Sequence, residues 1–219
     1  MIIAGQHGPS ALLIVLSVIS IIVAFVAGSM PFGYLVVKLF FGKDVREYGS
    51  RNIGMTNVWR SFGKTAGITV FILDFAKGFL PTLWGVTLSH ARLGWPHLPM
   101  ACGAAAVVGH SFTPWLRFRG GKGIAAGAGV LVALFQWWCL VPLGAFVLIL
   151  AATRMVSASS MTAGVVAAVT AFLVADLRPY EWVMAAFALF TFWTHRENIR
   201  RIIAGTESRI GGRKPNADA

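Results

Sequence analysis

The sequence predicts an all-α fold, a polytopic helical bundle in a membrane, and three observations carry that prediction. Apolar residues fill 57% of the 219 positions and charged residues only 12%, too few to coat a water-soluble domain. The apolar residues gather in runs near 11–41, 65–89, 98–116, 124–153, 156–175 and 180–195, to be set against the roughly 20 residues that a bilayer-crossing helix needs. Lys and Arg are sparse within those runs and concentrated between them, the distribution that orients helices in a bilayer.

The elements follow in chain order. The first run, Ala11 to Gly28, is preceded by ten residues without Lys or Arg, so it lacks the positive flank of a signal peptide and reads as a retained span with its N-terminus outside. Residues 43–64, 117–122 and the C-terminal tail carry fourteen of the 19 positive residues and are expected in the cytoplasm. One crossing then reaches 43–64, a second leaves through 65–89 and a third returns through 98–116. An even number of crossings must follow, and a split of 124–153 at Gln136-Trp137-Trp138, before Pro142, supplies it. Arg154 then falls inside, and Asp176, Arg178 and Glu181 outside. The expectation is one domain over 1–219 with about seven helices, some short or broken, and a partly flexible cytoplasmic tail at 204–219; five spans is the alternative. Gly103-Ala104-Ala105-Ala106, Gly123, Gly127 and Gly129 would let helices approach closely.

The net charge of +11 has a second use, phosphate recognition. Cys102 and Cys139 lie in apolar sequence without metal or redox spacing and read as packing residues. His7, His90 and His97 show no ligand spacing and fall near the outer face, so no metal is expected.

Four polar constellations interrupt the apolar runs. In Gly28-Ser29-Met30-Pro31-Phe32-Gly33-Tyr34, Pro31 removes a backbone donor and predicts a helix break that exposes Ser29 and free backbone groups; a tolerated kink, with Ser29 bonding back to its own helix, is the alternative. Residues 44–60 include Arg46, Ser50, Asn52, Thr56 and Asn57, a density of hydroxyl, amide and guanidinium donors suited to phosphate oxygens. His110 precedes Arg119-Gly120-Gly121-Lys122-Gly123, a glycine turn that opens a helix and so offers unpaired N–H groups to an anion. It is no nucleotide P-loop, because Lys122 is followed by Gly123 and the GxxxxGK spacing is absent. Beyond the last run, helical spacing puts His195 and Asn198 on one face and Asn198 and Arg201 on another, with Glu207 following. Asp74 and Lys77, three apart inside a membrane helix, should pair with each other or with loop groups and support the site.

Taken in order, GSMPFGY, GSRNIGMTNVWR, GHSFTPWLRFRGGKGIAAG and WTHRENIRRIIAGTE resemble the bacterial acyl-phosphate:glycerol-3-phosphate acyltransferase family over nearly the whole chain. The resemblance implies a multi-pass enzyme of the bacterial cytoplasmic (inner) membrane, its active site facing the cytoplasm. It implies acyl transfer from acyl phosphate to the 1-hydroxyl of sn-glycerol 3-phosphate, giving lysophosphatidic acid and phosphate for phospholipid synthesis. Neither cofactor, nucleic acid nor obligate protein partner is implied; membrane lipid is the surroundings.

The same resemblance maps a first motif onto Ser29 and Arg46 with Ser50, Asn52, Thr56 and Asn57. A phosphate loop for glycerol 3-phosphate maps onto Gly120, Gly121, Lys122 and Gly123 with His110 beside it, and a third motif onto His195, Asn198 and Glu207, the last structural. Arg119 stands where Lys is common, keeping the charge, and Ala126 where Thr often follows, removing one hydroxyl. Direct transfer without an acyl-enzyme is expected, with either His195 or a substrate phosphate oxygen taking the proton. A small anion or lipid transporter, using the same basic loops as a gate, is the alternative reading.

Overall fold

The computed structural model describes residues 11–89 and 95–211. The expectations for the first ten residues, for His7 and His90, and for the tail beyond residue 211 lie outside the described residues. Among the described residues the secondary structure is helical throughout, with ten α-helices. These are α1 (Ala11–Ser29), α2 (Phe32–Phe41), α3 (Met55–Phe62), α4 (Lys64–Leu88) and α5 (Leu98–Ser111), then α6 (Ile124–Phe135), α7 (Leu140–Thr153), α8 (Val156–Leu173), α9 (Glu181–Thr194) and α10 (Arg196–Ile203). The chain forms two compact units, Met1–Leu134 and Phe135–Ala219.

Among the described residues, four stretches are long and apolar enough to cross a bilayer: 11–41, 64–88, 124–153 and 156–173. Two of them are broken where the residues require it. The first stops at Ser29 and restarts at Phe32, because Pro31 cannot donate to the preceding turn. The second is interrupted by a 3-10 turn at Gln136–Cys139, where Gln136 takes a left-handed φ of 49°. The break falls on the Gln-Trp-Trp stretch where the sequence reading places the split. The helices α5 and α9 have 14 residues each, about 21 Å at the α-helical rise, against a hydrocarbon core of roughly 30 Å.

Burial is inverted relative to a water-soluble protein. Leu39, Leu148 and Leu173 are more than 70% exposed, whereas Asp74, Thr82 and Ser159 are buried. Lipid serves large apolar side chains as well as a core does, so polar groups go inside where they find partners.

In the first unit, α1, α4 and α5 pack against one another, with α2 and α3 laid on α4. Small residues set the closest approaches: a Cβ at Gly28 would strike the backbone of Ala106 on α5, and one at Gly129 the carbonyl of Phe75 on α4. Gly127, expected in the same role, has open space beside it. The polar loop 42–54 is held by apolar anchors, since Val45 and Ile53 are buried with Val37, Val58, Val70 and Leu116.

In the second unit, α8 packs between α7 and α9. The turn between α7 and α8 and the chain beyond α10 lie at the same end. The Ile210 N–H donates to the Arg154 carbonyl at 2.8 Å, and the Ser157 hydroxyl donates to Glu207 Oε1 at 2.7 Å.

Gly28→Val puts a branched side chain into the α1–α5 contact and is expected to destabilise the fold by about 1–3 kcal/mol. Thermal unfolding in detergent reads this directly, and an unchanged midpoint would show that the contact can relax.

Candidate functional site

The polar centre of the first unit grows from the break after α1. A break frees backbone carbonyls, and two of them meet a buried side-chain donor. Lys77 Nζ donates to the Met30 carbonyl at 2.7 Å and the Thr113 hydroxyl to the Ser29 carbonyl at 2.6 Å. Two of the backbone groups that the sequence leaves open to a ligand, the Met30 and Ser29 carbonyls, are therefore already engaged. Ser29 also bonds back to its helix, its hydroxyl donating to the Val26 carbonyl at 2.7 Å while accepting from Trp115 Nε1 at 3.0 Å. The helix break is present, and the Ser29 back-bond foreseen for a mere kink accompanies it. Thr113 and Trp115 escape a sequence reading because their partner lies more than eighty residues earlier.

Lys77 carries its charge into an apolar helix, and Asp74 compensates it with Oδ1 at 2.9 Å from Nζ. The pairing expected from their spacing is present, together with the loop contact to Met30. On its other side Asp74 faces His110, whose Nδ1 lies 3.6 Å from the same oxygen, too long for a hydrogen bond.

His110 in turn supports the glycine turn. A Cβ at Gly121 would fall on the His110 Nε2, and one at Gly120 on the His110 carbonyl oxygen, so only glycine lets the turn lie this close. The Gly120 and Gly121 N–H groups donate to the carbonyls of Ser111 and His110 at 3.0 and 3.1 Å. That corrects the expectation of unpaired donors along the whole turn, because these two amides fasten it to the end of α5. The anion-suited donors lie further on: Gly123 has φ 81° and its carbonyl accepts from the Gly127 N–H at 2.7 Å. The first N–H groups of α6 then lack acceptors within the helix. Lys122 is half-buried at this helix start, and Arg119 is exposed. Arg117 and Phe118 both take left-handed φ values, a strained approach that the sequence did not signal.

In the loop after α2, the expected ligand Asn57 is instead a staple. It is buried, its Oδ1 accepts from the Ser50 N–H at 2.9 Å, and its Nδ2 donates to the carbonyls of Tyr48 and Asn52 at 3.0 and 2.8 Å. Asn52 is similarly engaged, its Oδ1 accepting from the Gly54 N–H at 2.8 Å where α3 begins. Arg46 is exposed and forks onto Asp44, with Nε 3.0 Å from Oδ1 and a terminal nitrogen 2.6 Å from Oδ2. That fork holds the Asp44 carboxyl below its usual range. The Arg46 guanidinium also sits 5.3 Å from the Tyr34 ring centre. Ser50 is exposed, and half-buried Thr56 makes only a weak hydroxyl contact to the Met55 sulfur at 3.8 Å.

The second unit carries its own polar centre after α9. His195 is buried, and its Nδ1 lies 2.8 Å from the Thr191 carbonyl. A carbonyl can only accept, so neutral His195 is protonated on Nδ1 and keeps its lone pair on Nε2. Glu207 is a hub: Oε1 accepts from Ser157 at 2.7 Å and Asn198 Nδ2 at 2.6 Å, and Oε2 from Arg201 Nε at 2.8 Å. Burial pushes its carboxyl upward, but the three hydrogen bonds and the Arg201 charge prevail and lower it. Ser157 was not singled out in the sequence, being one of several serines in an apolar helix.

Apolar helices with exposed leucines, polar groups buried and paired among them, and a histidine-backed glycine turn at a helix start define a helical membrane protein. A family model described as glycerol-3-phosphate acyltransferase matches residues 18–205, and the chain belongs to that family. It is 40% identical over 199 residues to the glycerol-3-phosphate acyltransferase of Anaeromyxobacter dehalogenans (strain 2CP-C), covering 89% of this chain and 98% of that one. It is 39% identical to the enzyme of that name from Enterococcus faecalis (strain ATCC 700802 / V583), covering 88% and 91%. The crystal structure of PlsY (YgiH), an integral membrane glycerol 3-phosphate acyltransferase, superposes in its glycerol 3-phosphate form with TM-score 0.82 at 34% identity, covering 89% of this chain and 95% of that one. The lysophosphatidic acid form gives 0.80 at 32% identity. The chain is thus an integral membrane acyltransferase.

Two outcomes test the clusters. Asn57→Ala removes the staple from loop 44–57, at about 0.5–1.5 kcal/mol for each lost hydrogen bond, and limited proteolysis should cut there faster. Glu207 has a lowered folded pKa, so its contribution is full above the ordinary value near 4.5 and fades as pH falls through the lower folded value. Glu207→Gln should lower the unfolding midpoint at neutral pH and flatten its acid slope; an identical slope would remove Glu207 as the cause.

Proposed function

We propose that the enzyme transfers a fatty acyl group from acyl phosphate to the 1-hydroxyl of sn-glycerol 3-phosphate, releasing lysophosphatidic acid and inorganic phosphate. The acceptor is supported by the glycerol 3-phosphate form of the PlsY structure and the product type by its lysophosphatidic acid form. The observation that carries the reading is the start of α6, where Gly123 turns the chain and Lys122 stands beside the first amides of a 12-residue helix. A dianionic phosphate suits that combination of helix dipole, N–H groups and ammonium.

The donor is the finer part of the proposal. Acyl phosphate is a mixed anhydride, so its leaving group needs only to have its charge held; Arg46 and the hydroxyls of Ser50 and Thr56 suit that task. The acceptor oxygen attacks the acyl carbon, the carbon–oxygen bond to phosphate breaks, and the proton passes to His195 Nε2 or to a phosphate oxygen. Asn198, with its amide held by Glu207, assists by orienting a substrate group.

Direct transfer is supported by the geometry of Ser29. Its proton is engaged by a peptide carbonyl, which is no base, so the hydroxyl is not activated as a nucleophile. We place the reaction at the cytoplasmic face of a bacterial inner membrane, in line with the basic segments.

Purified protein given acyl phosphate and glycerol 3-phosphate should release lysophosphatidic acid and phosphate in equal amounts; absence of lysophosphatidic acid would sink the assignment and favour the transporter. Lys122→Ala should raise KM for glycerol 3-phosphate roughly tenfold or more. His195→Ala should lower kcat by about 10²–10⁴ if Nε2 takes the proton, and by far less if the phosphate does. An acyl adduct in the intact mass after incubation with acyl phosphate alone would overturn direct transfer.

A further inference from the structure

We propose that the cavity between the end of α7 and the tail is a binding site for an anionic glycerophospholipid of the surrounding bilayer. The cavity measures about 350 Å³ and is lined by Val147, Leu150, Ala151, Arg154 and Ile210. Its volume lies within the roughly 300–1,000 Å³ of small-molecule sites. Four of its five lining residues are apolar. The fifth, Arg154, is exposed, and its guanidinium has no hydrogen-bond or ion-pair partner among the described residues.

That division matches one molecule with a charged end and an apolar end. A lipid phosphodiester meets the guanidinium through paired N–H donors, and the adjoining chain lies along Val147, Leu150 and Ala151. A free anion would satisfy Arg154 and leave the apolar walls uncovered. The neighbouring side chains Val147 and Leu148 face outward, 53% and 71% exposed on an apolar helix, so bilayer lipid already borders the cavity.

The site also touches the polar centre of the same unit through the chain. Ile210 forms one wall and is tied by its N–H to the Arg154 carbonyl, whereas Glu207, three residues earlier, is held by Ser157, Asn198 and Arg201. A lipid against Ile210 and Arg154 braces the short segment that presents the Glu207 carboxylate.

Native mass spectrometry of the full chain, equilibrated with equal amounts of phosphatidylglycerol and phosphatidylcholine, tests this without any measure of acyl transfer, so its outcome is separate from that of the reaction proposed above. The wild type should retain phosphatidylglycerol preferentially. Arg154→Gln should reduce that retention about fivefold, the change expected for one basic side chain at an anionic lipid, and leave phosphatidylcholine unaffected. Leu150→Trp fills the cavity with Arg154 intact and should also reduce retention; either variant decides the matter if the other does not fold. Equal retention of the two lipids, unchanged retention in a folded variant, or displacement of phosphatidylglycerol by inorganic phosphate would overturn the proposal.

Discussion

A carbonyl freed inside a membrane helix must find a donor, because no water is there to supply one, and the first unit is organised around that demand. Pro31 breaks the helix, and the Met30 and Ser29 carbonyls are answered by Lys77 and Thr113. An ammonium brought in for this purpose is itself costly in a low-dielectric surrounding, so Lys77 brings Asp74. The paired carboxylate faces His110, and the His110 ring fills the space that the missing Gly121 side chain leaves. One backbone break thus links α1, α4, α5 and the start of α6. Altering any member leaves a buried polar group without its complement, a larger penalty than the loss of a single surface contact.

The second unit meets the same demand with a carboxylate as the acceptor. Glu207 collects donors from α8 and α10 and fixes where the tail returns against the bundle. His195, at the junction of α9 and α10, has its Nδ1 against the Thr191 main-chain carbonyl. A main-chain carbonyl can only accept, so it selects the tautomer with the proton on Nδ1.

Helix positions were legible because hydropathy and length are local properties. So were both interruptions, since Pro31 forbids a backbone bond and the Gln-Trp-Trp stretch divides a run too long for one simple span. The Asp74 and Lys77 pair followed from spacing and the cost of isolated charge. Less legible was which polar residues face a ligand and which satisfy the chain. Asn57 carries the donors and acceptor that a phosphate site would want, but a turn with several free backbone groups wants the same ones. The Gly120 and Gly121 amides were misread for the same reason, since glycine's close approach serves a neighbouring carbonyl as readily as an anion. Long-range contacts such as Trp115 to Ser29 have no local signature in one sequence.

The Ser29 environment links this structural economy to the chemistry. A serine becomes a nucleophile when a base accepts its proton, and a peptide carbonyl cannot do so at ordinary pH. Because the indole N–H must donate to Oγ, the single hydroxyl proton is committed to Val26, and one lone pair remains on the oxygen. What Ser29 can still offer is a weak acceptor or, after rotation, one donor to a phosphate or acyl oxygen. An acyl-enzyme at this position would need the hydroxyl to abandon two hydrogen bonds and find a base as well. With the mixed-anhydride donor proposed above, the leaving group is already good, and the proposed transfer straight to the glycerol hydroxyl avoids both requirements.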